Sequence, residues 1–200
     1  MKVFDNLLTE TETQEVKDSI INADFPFYLG YAGSSLGTGT VSPEIVAEHG
    51  YDSNVNDQMY FVHDVVRYDT VLKQTTVNSK IDELLINTLN KLIDHIGADS
   101  YNIYRTKINL SPQYPRPEGT YCVPHRDLKR KHVVVIYYVN DSDGPTYLFE
   151  DDGRTIIKIV EPKQGRFFMF DGSIKHAGSH PIKNKFRVAV NYNIEIDYGI

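Results

Sequence analysis

The spacing of hydrophobic and polar residues changes character near residue 98. Before it, Thr9-Glu10-Thr11-Glu12 opens a helix. Thr9 can cap it, Glu12 can reach back to the Thr9 amide, and Val16, Ile20 and Ile21 follow at helical spacing, which predicts a short amphipathic helix over 10–22. From Asp24 to Asn56 the chain is rich in Gly, Ser, Tyr and Pro and keeps no period, so it reads as loops with short strands. Its glycines, GYAGSSLGTGT at 30–40, are followed by no Gly-Lys-Ser/Thr and no helical pattern, which argues against a phosphate cradle. Residues 58–63 predict a strand. The strongest helical pattern spans 78–97, with Asn78 as cap and Ile81, Leu84, Leu85, Leu89, Leu92, Ile93 and Ile96 on one stripe. Gly97 is placed to end it. No charge interrupts the stripe, so this helix is a structural support.

Beyond Ala98 short β-rich runs alternate with turns. They cover 101–110, 119–124, 132–139, 145–150, 154–161, 166–171 and 185–194, with turn residues at 141–144, 151–153 and 171–172. Many short strands at this spacing predict a mainly β protein with flanking helices, its core a jelly roll or cupin-like barrel. No internal repeat is visible, and residues 1–200 read as a single domain.

Composition narrows the function. The longest apolar run, Val133 to Val139, has seven residues, two of them tyrosines, too few for a membrane span. The first residues turn acidic and polar without the apolar core of a signal peptide, so the expected location is cytoplasmic, with no membrane partner. The single cysteine, Cys122, forms no internal disulfide and supports no cysteine-rich zinc site. Any metal must therefore be held by imidazole and carboxylate. A net charge of −6 argues against broad nucleic-acid binding.

Of the seven histidines, at 49, 63, 95, 125, 132, 176 and 180, only His125 sits in a His-x-Asp, with Asp127. In an extended segment residues i and i+2 point the same way, so the two side chains can converge on one ion. His176 follows after four β-rich runs, and Arg187 eleven residues later. Two histidines and a carboxylate on one face of an octahedron, the other positions open, is the donor set of non-haem Fe(II) oxygenases. His180 competes as the distal ligand, but Ser179-His180-Pro181 has turn chemistry and lies close to Arg187, so His176 is preferred. In 186–193 the even positions are Phe, Val, Val and Tyr and the odd positions Arg, Ala, Asn and Asn. Arg187 and Asn191 thus share the face opposite the bulky one, where a guanidinium can pair with a carboxylate.

Other residues have plainer readings. Tyr137 belongs to the core, Cys122 is a small packing residue, and His132 is a strand-end group. His49, His63 and His95 are surface or structurally satisfied. Arg126, Lys129, Arg130 and Lys131 form a basic loop that by default is solvated. Arg105 and Lys107 share a strand face that is either pocket or solvent.

The motifs Tyr114…Gly119-Thr120-Tyr121…His125-Arg126-Asp127, Ile136-Tyr137-Tyr138-Val139-Asn140, Asp143-Gly144-Pro145-Thr146 and Pro162-Lys163-Gln164-Gly165-Arg166, with His176 and Arg187 after them, carry a resemblance. Residues 101–196 resemble the catalytic core of Fe(II)/2-oxoglutarate-dependent dioxygenases, in the prolyl 4-hydroxylase-like branch. The resemblance implies a double-stranded β-helix fold, with residues 1–100 as helical support and substrate-side loops. It implies that His125, Asp127 and His176 ligate Fe(II), and that Arg187 pairs with the distal carboxylate of 2-oxoglutarate. Tyr138, Thr146 and Tyr114 become further co-substrate contacts, although Asp143 stands where the family has a glycine. O2 and 2-oxoglutarate would be converted to succinate and CO2 as a C–H bond is hydroxylated, with ascorbate a further candidate cofactor. Related halogenases have a small residue where this chain keeps Asp127, so hydroxylation is the expected outcome. The branch suggests a prolyl residue in a peptide or protein as substrate. The alternatives are a small molecule, amino acid or nucleoside-like, hydroxylated or demethylated at the same site, and a binding jelly roll without turnover.

Overall fold

The computed structural model describes residues 1–31, 59–69, 73–115 and 117–198. Eleven strands and two helices fall within them: β1 (Lys2–Phe4), α1 (Glu10–Ile20), β2 (Tyr28–Tyr31), β3 (Met59–Asp69), β4 (Gln74–Val77), α2 (Asp82–Ile96), β5 (Ser100–Pro112), β6 (Val133–Tyr138), β7 (Thr146–Phe149), β8 (Ile156–Val160), β9 (Phe167–Asp171), β10 (Lys175–Gly178) and β11 (Phe186–Asp197). His49 and all but the first two residues of the glycine-rich stretch lie outside the described residues.

The two helices form where the side-chain chemistry begins and ends them. At the start of α1 the Thr9 hydroxyl accepts the Glu12 amide at 3.2 Å and the Glu12 carboxylate accepts the Thr9 amide at 2.8 Å, the reciprocal cap expected from the sequence. Helix α2 starts later than the sequence predicts. The Asn78 amide is bonded to the Val65 carbonyl of β3 at 2.8 Å, which ties the lead-in to the sheet, so Asn78 is not the cap and helix begins at Asp82. Gly97 ends α2 in the left-handed region at φ 66°, which a residue without Cβ adopts freely.

Two antiparallel sheets face each other. The larger runs β1-β9-β6-β11-β5-β3-β2, with β4 also paired to β3, and the smaller runs β10-β7-β8. Period-two alternation along the central strands divides their side chains between two cores. Ile108, Val135, Tyr137, Phe167, Val188, Val190 and Tyr192 project from the outer face of the large sheet onto Val16 and Ile20 of α1 and Leu85, Leu89, Leu92 and Ile93 of α2. The inner face gives Val134, Ile136, Tyr138, Phe168, Phe170 and Ala189, which pack against Leu148 and Val160. Burial of this kind stabilises by roughly 25 cal/mol per Å² of apolar surface. The fold is therefore the predicted jelly roll with flanking helices, and Tyr137 is core, as expected from its opposition to Tyr138.

Strands β1 and β4 and the extension of β3 to Asp69 go beyond the sequence pattern, and two further differences border the site. Residues 119–124 form no strand. Gly119 is left-handed at φ 82° and Pro124 has no N–H to give, so the segment follows β10 with one Cys122 amide bond to Gly178, at 2.9 Å, before pairing at His125. It still covers Tyr147, Phe149 and Ala177, and Cys122 packs there. Strand β10 itself, Lys-His-Ala-Gly, is invisible in the sequence because four residues with no β-branched side chain carry no strand signal. Among the described residues no helix is long and apolar enough to cross a membrane.

Candidate metal and anion site

His125 and His176 are brought together by the backbone. They are the directly opposed members of an isolated antiparallel bridge, each amide bonded to the other's carbonyl at 3.0 Å, so both rings leave the same side with centroids 4.8 Å apart. Asp127, two residues beyond His125, turns its carboxylate between them. Asp127 Oδ2 lies 3.5 Å from His176 Nε2 and Oδ1 lies 3.8 Å from His125 Nε2. One donor atom from each residue falls within 4.8 Å of the others, a group that could hold a metal ion.

The imidazoles are oriented as ligands require. His125 Nδ1 faces the Val123 carbonyl at 2.9 Å and His176 Nδ1 faces that of Ile174 at 3.4 Å. A carbonyl can only accept, so Nδ1 carries a proton in each ring and Nε2 is the atom turned to the cluster, where it can coordinate a metal once it gives up any proton of its own. Desolvation first, and His176 second, pull the His125 pKa below its ordinary value, which favours the neutral ring. Burial of Asp127 would by itself raise its pKa. Hydrogen bonding to His176, followed by the charges of His176, Arg105 and His125, outweighs it and holds the carboxyl well below the usual carboxylate range. Two ring nitrogens and a carboxylate oxygen, with no thiolate, suit a divalent transition metal.

Three further side chains hold Asp127, and periodicity alone does not name them for that task. Arg105 of β5 donates to Oδ1, while Asn191 and Asn193 of β11 donate to Oδ2 at 3.0 and 2.9 Å. The face shared by Arg105 and Lys107, left open by the sequence, is the inner one. Asn193 carries no signal of its own in the sequence because its cross-strand position matters more than its residue type.

Adjacent to this cluster the inner face holds a second one. Arg187 is buried at 6% exposure, and its Nη2 donates to Thr146 Oγ1 at 2.9 Å. Tyr138, kept protonated by burial, donates to the same oxygen at 2.7 Å. No ion pair engages Arg187 among the described residues, and its Nε is buried without a hydrogen-bond partner. A buried guanidinium left this way is costly unless an anion completes it. Gly178 leaves the space beside it, since a Cβ there would come within 3.5 Å of the guanidinium.

The remaining sequence candidates find other places. Tyr114 packs against His180 at 5.9 Å, with its amide bonded to the Pro181 carbonyl, and no hydrogen bond links it to Tyr138, Thr146 or Arg187. His180 binds the Pro112 carbonyl through Nδ1 at 2.8 Å and is not part of the metal-ligating group. His132 is buried with Nδ1 on the Arg130 carbonyl, and His63 likewise holds the Pro26 carbonyl at 2.8 Å. In the basic loop Arg126 bonds the Ser173 carbonyl and Asp151, and Arg130 lies 3.7 Å over the Tyr104 ring, so two of the four charges fasten the loop. Asp143, in place of a glycine, accepts the amides of Ile182, Lys183 and Asn184 at 2.8–3.1 Å and clamps the lead-in to β11 and Arg187.

No protein-family model matches the chain, and no curated protein matches it. Solved structures do. An oxidoreductase of the 2OG-Fe(II) oxygenase family from Burkholderia pseudomallei is 15% identical, with a TM-score of 0.64 over 94% of this chain and 81% of that one. A prolyl hydroxylase from Trichoplax adhaerens, in complex with a hypoxia inducible factor oxygen degradation domain peptide fragment, is 14% identical, with a TM-score of 0.57 over 96% and 82%. HygX from Streptomyces hygroscopicus, with nickel and 2-oxoglutarate bound, is 10% identical, with a TM-score of 0.54 over 96% and 81%. The chain thus has the fold of the 2-oxoglutarate and Fe(II) oxygenases, prolyl hydroxylases among them.

Proposed function

We propose that this protein is an Fe(II)- and 2-oxoglutarate-dependent dioxygenase that hydroxylates a C–H bond and releases succinate and CO2. The observation that carries the reading is the buried, unpaired Arg187 beside the His125-Asp127-His176 group. One cluster offers three metal donors and the other a single cation awaiting an anion, and 2-oxoglutarate is a dicarboxylate that needs both. The fold shared with oxygenases supports it.

In this reading His125, Asp127 and His176 hold the iron, which supplies O2 activation when bound. Arg105, Asn191 and Asn193 fix the Asp127 carboxylate so that its orientation is set before metal arrives. Arg187 pairs with the distal carboxylate of the co-substrate. Thr146 already accepts from Arg187 and Tyr138, so its own proton is free to donate to that carboxylate. Tyr138, Leu148 and Ala189 of the apolar inner face keep water from this end. Residues 101–196 carry the chemistry, residues 1–100 serve as helical support and substrate-side loops, and a cytoplasmic setting goes with an iron site lacking cysteine. Of the two substrate classes, a peptidyl prolyl residue and a small molecule, charged residues on β3 and β5 favour the second.

The test is succinate formation from 2-oxoglutarate with Fe(II), with and without candidate substrates, together with iron binding. His125→Ala and Asp127→Ala abolish both in the expected outcome. A parent chain that binds no iron and turns over no 2-oxoglutarate would end the oxygenase reading.

A further inference from the structure

The inner face of the large sheet continues past the metal-ligating group onto β5 and β3, and there it is charged. Lys107 stands directly opposite Asn191, one of the residues that holds Asp127, and on its other side directly opposite Asp64. Opposed residues in an antiparallel pair keep their Cβ atoms about 4.5–5.5 Å apart. Lys107 is therefore one strand away from the anchor of the metal-ligating carboxylate, and Asp64 one strand further out.

Neither charge is fully used by the protein. Lys107 is half-buried, and no hydrogen bond or ion pair engages it among the described residues. Asp64 gives Oδ2 to Arg67 at 2.8 Å, but its Oδ1 is buried with no hydrogen-bond partner. The two face each other across the ladder without approaching within the 4.0 Å of an ion pair. Desolvation, and after it the neighbouring Arg105, destabilise the ammonium of Lys107, and the carboxylates of Asp64 and Asp127 offset this only in part.

We infer that Lys107 and Asp64 are a recognition pair for a small zwitterion of the free amino-acid type, whose carboxylate meets Lys107 and whose ammonium meets Asp64 Oδ1. The inference rests on the proposed oxygenase reading and names its substrate class. A simple anion would leave Asp64 unsatisfied and be repelled by it, and the interior of a peptide carries neither charge. The pair is separate from the co-substrate end. Arg187 opposes Ser111, four residues from Lys107 along β5, or about 13 Å at the usual rise of a strand. Two carboxylates can therefore be bound at once, one at each cation.

The experiment is titration calorimetry on the full chain with Ni(II) and 2-oxoglutarate present, using each of the twenty common free amino acids beside its N-acetyl and its amide derivative. At least one free amino acid binds, and blocking either end weakens it ten-fold or more. Asp64→Asn removes the discrimination against the N-acetyl form, and Lys107→Met removes that against the amide. The comparison of derivatives uses only the parent chain and so does not depend on a variant folding. A parent that binds Ni(II) and 2-oxoglutarate but no free amino acid, or binds blocked and free forms equally, overturns the inference and leaves the oxygenase reading standing. A parent that binds neither Ni(II) nor 2-oxoglutarate removes the reading beneath it.

Discussion

Arg105 of β5 grips the same carboxylate, that of Asp127, which Asn191 and Asn193 of β11 hold from its other oxygen. Asp127 is only 5% exposed, so none of these bonds is replaced by water when a partner is lost. Removing such outer partners commonly costs about 10–100-fold in metal affinity. Arg105→Met and Asn193→Ala are each expected to weaken Mn(II) or Co(II) binding by that order in a calorimetric titration. Unchanged affinity in both would show that Asp127 is positioned without them.

Arg187 makes opposite demands on binding and on stability. Hydrogen bonds to charged groups contribute about 1.5–3 kcal/mol, so Arg187→Met should raise the 2-oxoglutarate requirement by about 10–100-fold while leaving metal affinity intact. The same change removes a buried cation with an unsatisfied Nε, and the ligand-free variant should be more stable than the parent by about 1 kcal/mol or more in urea. A less stable variant with normal 2-oxoglutarate affinity would contradict both arguments.

Gly172 follows β9 where the His132 ring closes against the backbone. A Cβ there would fall 2.3 Å from two atoms of that ring, while the Gly172 amide is bonded to the His132 carbonyl at 2.9 Å. Gly172→Ala is expected to destabilise by about 1–3 kcal/mol through overpacking. Combined with His132→Ala, it should cost clearly less than the sum of the single changes, because the clash disappears with the ring. Simple additivity in urea denaturation would place the strain elsewhere.

Glu12 links the two helices, and its charge makes that link sensitive to acid. Its bond to Lys91 of α2, followed by the Thr9 amide and hydroxyl, lowers its pKa to about 2 from an ordinary 4.5. A folded pKa below the unfolded one adds stability that is complete above the unfolded value and is lost as pH falls through the folded one. The urea midpoint should therefore fall between pH 4.5 and 2 more steeply in the parent than in Glu12→Gln. Parallel decline in the two chains would show that Glu12 does not contribute.

Much of the candidate site is legible in the sequence because it is written in short periods. Asp127 stands two positions after His125, so any extended segment puts both on one side. Alternation through 186–193 sets Arg187 and Asn191 against the bulky outer face, and the helical stripe from Ile81 to Ile96 marks a support. The sequence does not say that Arg105 and Lys107 face inward, since one face of an isolated strand is equivalent to the other until a second strand pairs with it. It also misplaces residues 119–124, where Pro124 and a left-handed Gly119 break a ladder that the residue types alone suggest.

By itself, then, the sequence determined the residue types of the site, the elements that carry them and the face each takes within its own element. Those are local properties, set by backbone geometry over a few residues. The tertiary structure decided which faces meet: His125 opposite His176 across 51 residues of chain, Arg105 on Asp127, Arg187 on Thr146, and Lys107 between Asn191 and Asp64. Strand register decides these, and register is a cooperative result of burying both cores at once, which no single segment contains.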